Sequence, residues 1–237
     1  MKLAIVIPAF NEERRLPKTL RSILEHARGR QLDFEILVVN DGSTDQTERV
    51  VQDFAKEHPQ VKLVSYAQNH GKGYAVRLGS LQAAADRILF CDADGAAPIE
   101  ELRRLERALN EGADIAIGSR ALDSEETTLE TRLHRKVIGR IFANIVNLLV
   151  VPGIKDTQCG FKLFTRPACR HVFSRQRLDG FAFDVEILQI AMRAGFKIKE
   201  VPINWKDMPG SKVRLTRDPA LMAMDLLRLL KWHWTGD

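Results

Sequence analysis

Short apolar segments alternate with helical patterns along the first half of this 237-residue chain. The apolar segments have the length of buried strands and cover residues 3–7, 34–39, 61–66, 88–91 and 115–117. Helical patterns lie between them at residues 16–27, 47–57, 73–84 and 99–110. Strands that alternate with helices across short turns predict a mostly parallel sheet with helices on both faces. The chain is therefore expected to be an α/β protein.

The polar residues collect in the loops that follow these strands. The loops after the first four strands cover residues 8–13, 40–45, 68–73 and 92–95. In an open α/β sheet, ligands bind outside the carboxyl ends of the strands. Four polar loops at one edge therefore predict a single functional site there.

Asp92 and Asp94 lie directly after the fourth apolar segment. Carboxylates at positions i and i+2 of a strand end can surround one hard divalent ion, which takes further ligands from water and a substrate diphosphate. Alone the pair is a weak signal, because aspartates are common as solvated turn residues. The preceding strand and the other polar loops favour a Mg²⁺ or Mn²⁺ site.

Several function classes are disfavoured by the sequence. No Gly-x-Gly-x-x-Gly follows the first strand and no Gly-x-x-x-x-Gly-Lys-Ser/Thr occurs, which argues against a dinucleotide fold and a P-loop ATPase. A net charge of +5 admits nucleic acid, an anionic membrane or a phosphorylated small molecule as the partner. Aromatic residues are only 7% of the chain, so nucleic acid is disfavoured. Three scattered cysteines fit reduced thiols in a cytosolic compartment.

Five motifs stand in order at the ends of the strands. They are IPAFNE at 7–12, VNDGSTD at 39–45, NHGKG at 69–73, DADG at 92–95 and GSR at 118–120. Together they resemble glycosyltransferase family 2, the inverting enzymes of the GT-A fold. DTQCGFK at 156–162 narrows the resemblance to polyprenyl-phosphate glycosyltransferases. FDVE at 183–186 and GSKVR at 210–214 are similar to motifs of the dolichyl-phosphate β-glucosyltransferases.

The resemblance implies metal-dependent transfer of a sugar, glucose from UDP-glucose first of all, to dolichyl or polyprenyl phosphate. Ala96 stands where the related mannose synthases typically carry glutamine, which weakens a mannose assignment and removes a candidate metal ligand. The eukaryotic glucosyl enzymes begin with a membrane anchor, which is not expected here. A GDP-mannose or UDP-N-acetylglucosamine donor, or a different acceptor, stays open.

The resemblance and the charges of the side chains together assign roles to individual residues. Donor binding is expected at Pro8, Phe10, Glu12, Asp41, Gly71, Lys72, Asp92, Asp94, Arg120, Lys212 and Arg214, with the metal on Asp92 and Asp94. Catalytic roles are expected for Asp94, Arg120, Asp156 and Asp184, and binding of the acceptor phosphate for Arg132, Arg135 and Gln158. Residues 208–214 are expected to form a loop that closes over the donor.

The expected acceptor needs no general base. A phosphate monoester has a second pKa near 6 and is largely dianionic at neutral pH. It needs positioning among cations, which residues 132–140 would supply. Asp184 and Glu186 are therefore expected to orient sugar hydroxyls or basic side chains, and a base role for Asp184 stays open.

Residues 132–150 and 219–234 each have a polar and an apolar face at helical spacing. Amphipathic helices of this kind fit an element that lies on anionic lipid, and the alternative is a helix packed on the domain or a dimer contact. We expect one catalytic domain over residues 1–217, with a donor half at 1–120 and an acceptor half at 121–217, followed by an amphipathic helix at 218–237. No stretch has the roughly 18 apolar residues of a spanning helix. The expected location is the cytoplasm, peripherally on the cytoplasmic face of a membrane, and homo-oligomerisation stays open.

Overall fold

The computed structural model describes residues 1–122, 124, 127–130, 150–208 and 218–235. The strands are β1 (Leu3–Ala9), β2 (Phe34–Asp41), β3 (Val61–Tyr66), β4 (Arg87–Cys91), β5 (Ile115–Ser119), β6 (Leu129–Glu130), β7 (Phe161–Thr165), β8 (Ile198–Pro202) and β9 (Trp205–Lys206). Seven of them form one sheet in the order β3-β2-β1-β4-β7-β5-β8, and β6 pairs with β9 in a second, two-stranded sheet.

Helices cover both faces of the large sheet. They are α1 (Leu16–Gly29), α2 (Thr47–Glu57), α3 (Lys72–Gln82), α4 (Leu102–Asn110), α5 (Arg166–Phe173), α6 (Phe183–Arg193) and α7 (Asp218–Thr235), and a single 3₁₀ turn (Ile99–Glu101) precedes α4. Successive residues of β1 point to opposite faces, as in any strand. Ile5 and Ile7 pack with α1 and α4, whereas Ala4 and Val6 pack with α3, α5 and α6. The predicted α/β architecture is confirmed.

β7 runs against its neighbours. It pairs antiparallel with both β4 and β5, whereas the other pairs of the large sheet are parallel. Its first residue, Phe161, is therefore opposite Cys91, the last residue of β4. The amino end of β7 thus shares an edge with the carboxyl ends of β1, β2, β4 and β5. This brings residues 156–160 to the edge where the sequence predicts the site.

The sequence predicts a single strand over residues 198–205, but the structure has two strands there, β8 and β9. β8 ends at Pro202, which has no N–H to continue the ladder. Asn204 then accepts the backbone N–H of Thr128 at 2.8 Å and donates to Glu101 at 2.6 Å. These contacts turn the chain out of the large sheet, so that β9 pairs with β6 instead.

The predicted C-terminal helix is present as α7 and packs one side on the domain. Leu226 and Leu229 are buried in the core that α3, α5 and α6 share. Leu221, Met224 and Leu227 lie on another side and are exposed. Among the described residues, no helix is both long and apolar enough to cross a bilayer.

Candidate active site

Asp92 and Asp94 lie where β4 ends, beside the loops from β1 and β3. About 25% of each side chain is exposed. Lys72 Nζ lies 2.7 Å from Asp92 Oδ1, and Arg15 Nη1 lies 3.6 Å from Asp94 Oδ2. Burial and the charge of Asp92 together raise the pKa of Asp94. The two carboxylates are therefore close enough for the charge of one to affect the other, and each has a cation beside it.

These carboxylates fit a hard divalent cation. They supply the oxygen ligands that Mg²⁺ and Mn²⁺ prefer, and both remain accessible from the edge of the sheet. Within the described ranges, no group of three or more His, Cys, Asp or Glu side chains is placed to hold a metal. An ion here would need further oxygens from water or from a bound diphosphate, which is the usual arrangement for Mg²⁺.

Gly160 makes room for Asp92. A Cβ at this position would lie only 2.0 Å from Asp92 Oδ2. The Gly160 carbonyl also accepts the backbone N–H of Asp92 at 3.0 Å. The glycine of the DTQCGFK motif therefore places a carboxylate 68 positions earlier in the sequence. Sequence reasoning missed this role, although the motif itself was the signal.

Lys72 is oriented by a close backbone contact at the start of α3. Gly71 has a φ of 106°, which side chains rarely adopt, and a Cβ there would lie 2.5 Å from the Asp179 carbonyl oxygen. A Cβ on Gly73 would lie 2.6 Å from the Leu178 carbonyl oxygen. The Gly73 N–H donates to the Asp179 carbonyl at 2.8 Å. Both positions of the NHGKG motif thus need glycine, because the backbone of residues 178–179 leaves no space for a Cβ.

Glu186 holds this supporting segment in place. Its buried carboxylate accepts the backbone N–H groups of Arg177 and Leu178, both at 2.8 Å. Gln176 donates to the Gly73 carbonyl at 2.9 Å. Burial raises the pKa of Glu186, although the two backbone hydrogen bonds act in the opposite direction. Glu186 therefore orders the support of Lys72, and its predicted contact with sugar hydroxyls stays a prediction.

Asp184 is enclosed beneath the paired aspartates. It accepts a hydrogen bond from Lys162, and the exposed fractions of the two side chains are 0% for Lys162 and 4% for Asp184. Lys162 also donates to the Cys159 carbonyl at 2.6 Å. Burial raises the pKa of Asp184, while Lys162 and Lys72 lower it. The geometry favours a role in orienting basic side chains, and a catalytic role for Asp184 stays a prediction.

Arg120 and Asp156 form the second cationic corner of the site. Asp156 accepts from the backbone N–H, Nε and Nη2 of Arg120, each at 2.8 Å. Burial would raise the pKa of Asp156, but the charge and hydrogen bonds of Arg120 outweigh it and lower the pKa. Arg120 also lines a cavity of about 410 Å³ with Ser119, Leu122, Ser124, Thr127, Leu129 and Ile203. An anionic ligand in this cavity would meet the guanidinium.

Hydrogen bonds join the loop after β1 to the loop after β2. Asn11, with a left-handed φ of 54°, accepts the Thr44 N–H at 2.8 Å, and the Glu12 N–H donates to Thr47 at 2.7 Å. The Glu12 carboxylate binds Arg15, which in turn faces Asp94. Pro8 and Phe10 are half-buried. Glu12 thus supports a cation beside Asp94, and its predicted contact with the nucleotide stays a prediction.

Asp41 is buried at the end of β2 and organises the loop before α3. Its carboxylate accepts the backbone N–H groups of His70 at 2.7 Å and Gly71 at 3.0 Å, and the side-chain amide of Asn69 at 2.9 Å. Burial raises the pKa of Asp41 despite these bonds. The predicted donor contact of Asp41 would have to share a carboxylate that already holds the backbone next to Lys72, and this contact stays a prediction.

Of the remaining predicted residues, only some lie within the described part of the chain. Gln158 is half-exposed just before β7. Arg132, Arg135, Lys212 and Arg214 lie outside the described residues. The same is true of residues 132–149 of the amphipathic helix predicted at 132–150, and of residues 209–214 of the predicted loop. The structure therefore brings together Lys72, Asp92, Asp94, Arg120, Asp156 and Asp184, and the predicted roles of these and of all the other site residues stay predictions.

Comparison with known proteins decides the family. The model of the family described as "Glycosyl transferase family 2" matches residues 4–173. The chain belongs to glycosyltransferase family 2. A dolichyl-phosphate β-glucosyltransferase of Trichomonas vaginalis is 40% identical over 244 residues, covering 99% of this chain and 74% of the relative. The human dolichyl-phosphate β-glucosyltransferase is 36% identical over 248 residues, covering 99% of this chain and 76% of the relative.

Solved structures confirm the GT-A fold of this family 2 member. Glucosyl-3-phosphoglycerate synthase from Mycobacterium tuberculosis, solved in complex with Mn²⁺ and UDP-glucose, aligns with a TM-score of 0.70 at 18% identity. The alignment covers 97% of this chain and 77% of that protein. The protein is therefore a glycosyltransferase with the fold that its five strand-end motifs predict.

Proposed function

We propose that this glycosyltransferase moves glucose from UDP-glucose to a polyprenyl phosphate such as dolichyl phosphate, with Mg²⁺ or Mn²⁺ at Asp92 and Asp94. The observation that carries the proposal is the group of charged side chains at one edge of the sheet. Two accessible carboxylates lie there with Lys72 beside one of them, and Arg120 supplies a second cation nearby. The names of the relatives that match nearly the whole chain support the sugar and the acceptor.

The donor diphosphate would lie at the paired aspartates. A bound divalent cation would stabilise the negative charge that develops on the leaving diphosphate. Lys72 lies within ion-pair distance of Asp92 and can hold a diphosphate oxygen that approaches the same edge. Asp41 and Glu12 maintain the loops around this position through backbone and arginine contacts. The chain thus supplies a rigid, charged cradle for the leaving group.

The acceptor phosphate would lie on the Arg120 side. Asp156 fixes the orientation of the guanidinium, and leucine and isoleucine side chains line the adjoining cavity. A phosphate dianion can attack the anomeric carbon without losing a proton, so no general base is needed. The carboxylates of Asp184 and Glu186 are both bound inside the domain, which agrees with this mechanism. Gln158, Arg132 and Arg135 are proposed to complete the phosphate site.

The membrane surface is the proposed source of the acceptor. Leu221, Met224 and Leu227 of α7 are exposed, and Arg228 lies next to them on the same helix. An exposed apolar row beside a cation fits an element that rests in the headgroup region of anionic lipid. The predicted amphipathic helix at 132–150 would act in the same way.

A donor panel tests the proposal. The purified chain is given UDP-glucose, UDP-N-acetylglucosamine or GDP-mannose together with a short-chain polyprenyl phosphate, with Mn²⁺ or with EDTA. We expect glucosyl lipid from UDP-glucose alone and only in the presence of the metal. Asp94→Asn should abolish this product, whereas Asp53→Asn, a matched change at an exposed pair with Lys56, should not. Equal transfer in EDTA, or a preference for another donor, would contradict the proposal.

A further inference from the structure

Arg120 is held by side chains from two separate segments. Its guanidinium carbon lies 4.8 Å from the centroid of the Trp205 ring in β9. Asp156, before β7, binds Nε and Nη2. Neither Trp205 nor Glu200, described below, was predicted from the sequence to belong to the site. Both act on Arg120 from elements that the sequence does not place next to it.

Trp205 contributes its ring and not its N–H. The residue is 8% exposed, and within the described part of the chain its buried Nε1 has no hydrogen-bond partner. A guanidinium over an aromatic face gains a cation–π attraction that grows when water is excluded. The face of the indole therefore limits where the guanidinium can lie.

Glu200 acts on the Asp156 side of the Arg120 contacts. Its carboxylate lies on β8 and accepts the backbone N–H of Asp156 at 2.9 Å and that of Lys155 at 2.8 Å. These two bonds hold the segment that carries the Asp156 carboxylate. Since the Asp156 carboxylate binds both Nε and Nη2 of the guanidinium, the position of Glu200 is transmitted to Arg120.

We propose that Trp205 and Glu200 are positioning residues that aim Arg120 at the ligand phosphate. Asp156 takes Nε and Nη2, which leaves the Nη1 corner of the guanidinium for the adjoining cavity. Trp205 prevents the guanidinium of Arg120 from rotating off the indole face, and Glu200 keeps the Asp156 carboxylate in position. The inference rests on the proposed function only in the identity of the phosphate ligand.

A spectroscopic experiment tests the stacking without any turnover. The Nε–H resonance of Arg120, identified by its loss in Arg120→Lys, should carry a ring-current shift from Trp205. The shift should persist in Trp205→Phe, which keeps an aromatic face, and disappear in Trp205→Leu. An unshifted Arg120 signal in the wild-type protein, or a shift that survives Trp205→Leu, overturns the stacking.

A double-mutant cycle tests whether the stacking matters for transfer. Trp205→Leu should lower kcat/KM on the order of threefold to thirtyfold, the range that a cation–π contact corresponds to, and Trp205→Phe should restore most of the loss. In an Arg120→Met background, Trp205→Leu should cost nothing further. A loss of the same size in both backgrounds shows that Trp205 acts on something other than Arg120.

Matched controls separate positioning from folding. Arg177 stacks on Trp232 at 5.1 Å on another part of the surface. Trp232→Leu should leave transfer to a short-chain acceptor in solution unchanged. Glu200→Gln, which retains only one of the two acceptor oxygens, should raise KM for the acceptor more than it lowers kcat. Equal losses from Trp232→Leu and Trp205→Leu, or no change of KM in Glu200→Gln, contradict the proposal.

The outcomes also distinguish this inference from the proposed function. If the wild-type protein transfers no glucose but the Arg120 resonance is shifted by Trp205, the proposed donor is wrong and the stacking of Arg120 on Trp205 stands. If glucose is transferred and the cycle shows additive losses, the proposed function stands and the positioning is wrong.

Discussion

Two lysine–aspartate pairs contact the same phenylalanine and differ in how far water reaches them. Lys72 Nζ lies 5.2 Å and Lys162 Nζ 5.7 Å from the Phe90 ring centroid. In the outer pair, Lys72 and Asp92 are 22% and 25% exposed, whereas in the inner pair Lys162 and Asp184 are 0% and 4% exposed. The same chemistry therefore serves two purposes. The inner pair joins β7 to α6, and the outer pair faces the space where a ligand arrives.

The difference follows from the free-energy cost of removing each charge from water. A charge that is fully removed from water must keep its partner, because an uncompensated buried ion is strongly destabilising. A charge at a partly exposed edge can exchange its partner for a ligand at much lower cost. The comparison thus predicts that changes in the inner pair affect stability and changes in the outer pair affect binding.

The largest expected effect is that of Lys162→Met. It leaves Asp184 buried without its cation and should lower the free energy of unfolding by about 3–5 kcal/mol, measured by urea denaturation. The double variant Lys162→Met/Asp184→Leu removes both charges and should recover most of this loss. If Lys162→Met is no less stable than the wild-type protein, the inner pair does not hold β7 to α6.

Gly160→Ala sharpens the comparison by disturbing only the outer pair. The new Cβ would overlap the Asp92 carboxylate, so Asp92 must move away from Lys72 and from the proposed metal position. We expect a loss of kcat/KM of about a hundredfold, comparable to the loss of one preorganised electrostatic contact. Gly29→Ala is the control, since a Cβ at Gly29 meets nothing within 4 Å. Normal turnover of Gly160→Ala would show that the position of Asp92 is not critical.

Asp156→Asn tests a pair of mixed exposure, with Arg120 31% and Asp156 8% exposed. Since Arg120 lowers the pKa of Asp156 in the folded state, the carboxylate stabilises the fold above its unfolded pKa of about 3.9. This contribution is lost as the pH falls through the lower, folded pKa. The variant should therefore be less stable by about 1–2 kcal/mol at pH 7, and the difference should shrink below about pH 4. Urea unfolding of both proteins between pH 3 and pH 7 measures it, and a difference that does not change with pH would contradict the assignment.

Lys72→Met should have the smallest effect and should act on binding alone. Removal of a charge-assisted contact is expected to weaken UDP binding about tenfold, as measured by calorimetry with Mn²⁺ present. The free energy of unfolding should change by less than about 1 kcal/mol, because the lysine is partly solvated. Lys56→Met, at an exposed pair with Asp53, is the matched control and should change neither quantity. A loss of stability as large as that of Lys162→Met would remove the distinction between the two pairs.

Much of this fold was predictable because local patterns and the sheet agree. The first five strands and the four helices between them have clear apolar periodicities, and the polar loops identify the edge where Lys72, Asp92 and Asp94 meet. β7 was not predicted. Its residues, FKLFT, contain Lys162, and a lysine in the middle of a short apolar run hides a strand that is buried on both faces.

Contacts between distant segments account for the rest of what the sequence did not reveal. The role of Gly160 depends on the packing of β4 against β7, and that of Trp205 on the turn that moves β9 out of the large sheet. From sequence, Glu186 is expected to orient sugar hydroxyls or basic side chains, but its two backbone partners appear only when α6 is placed over residues 177–178. In each case a tertiary contact decides the role.

The most direct test of the account is a calorimetric titration of UDP into the wild-type protein and into Asp94→Asn, each with Mn²⁺ and with EDTA. If the edge of the sheet at Asp92 and Asp94 is the donor site, UDP should bind the wild-type protein tightly only with Mn²⁺. Asp94→Asn should bind UDP equally weakly in both conditions. Metal-dependent UDP binding that survives unchanged in Asp94→Asn would place the donor elsewhere and contradict the account.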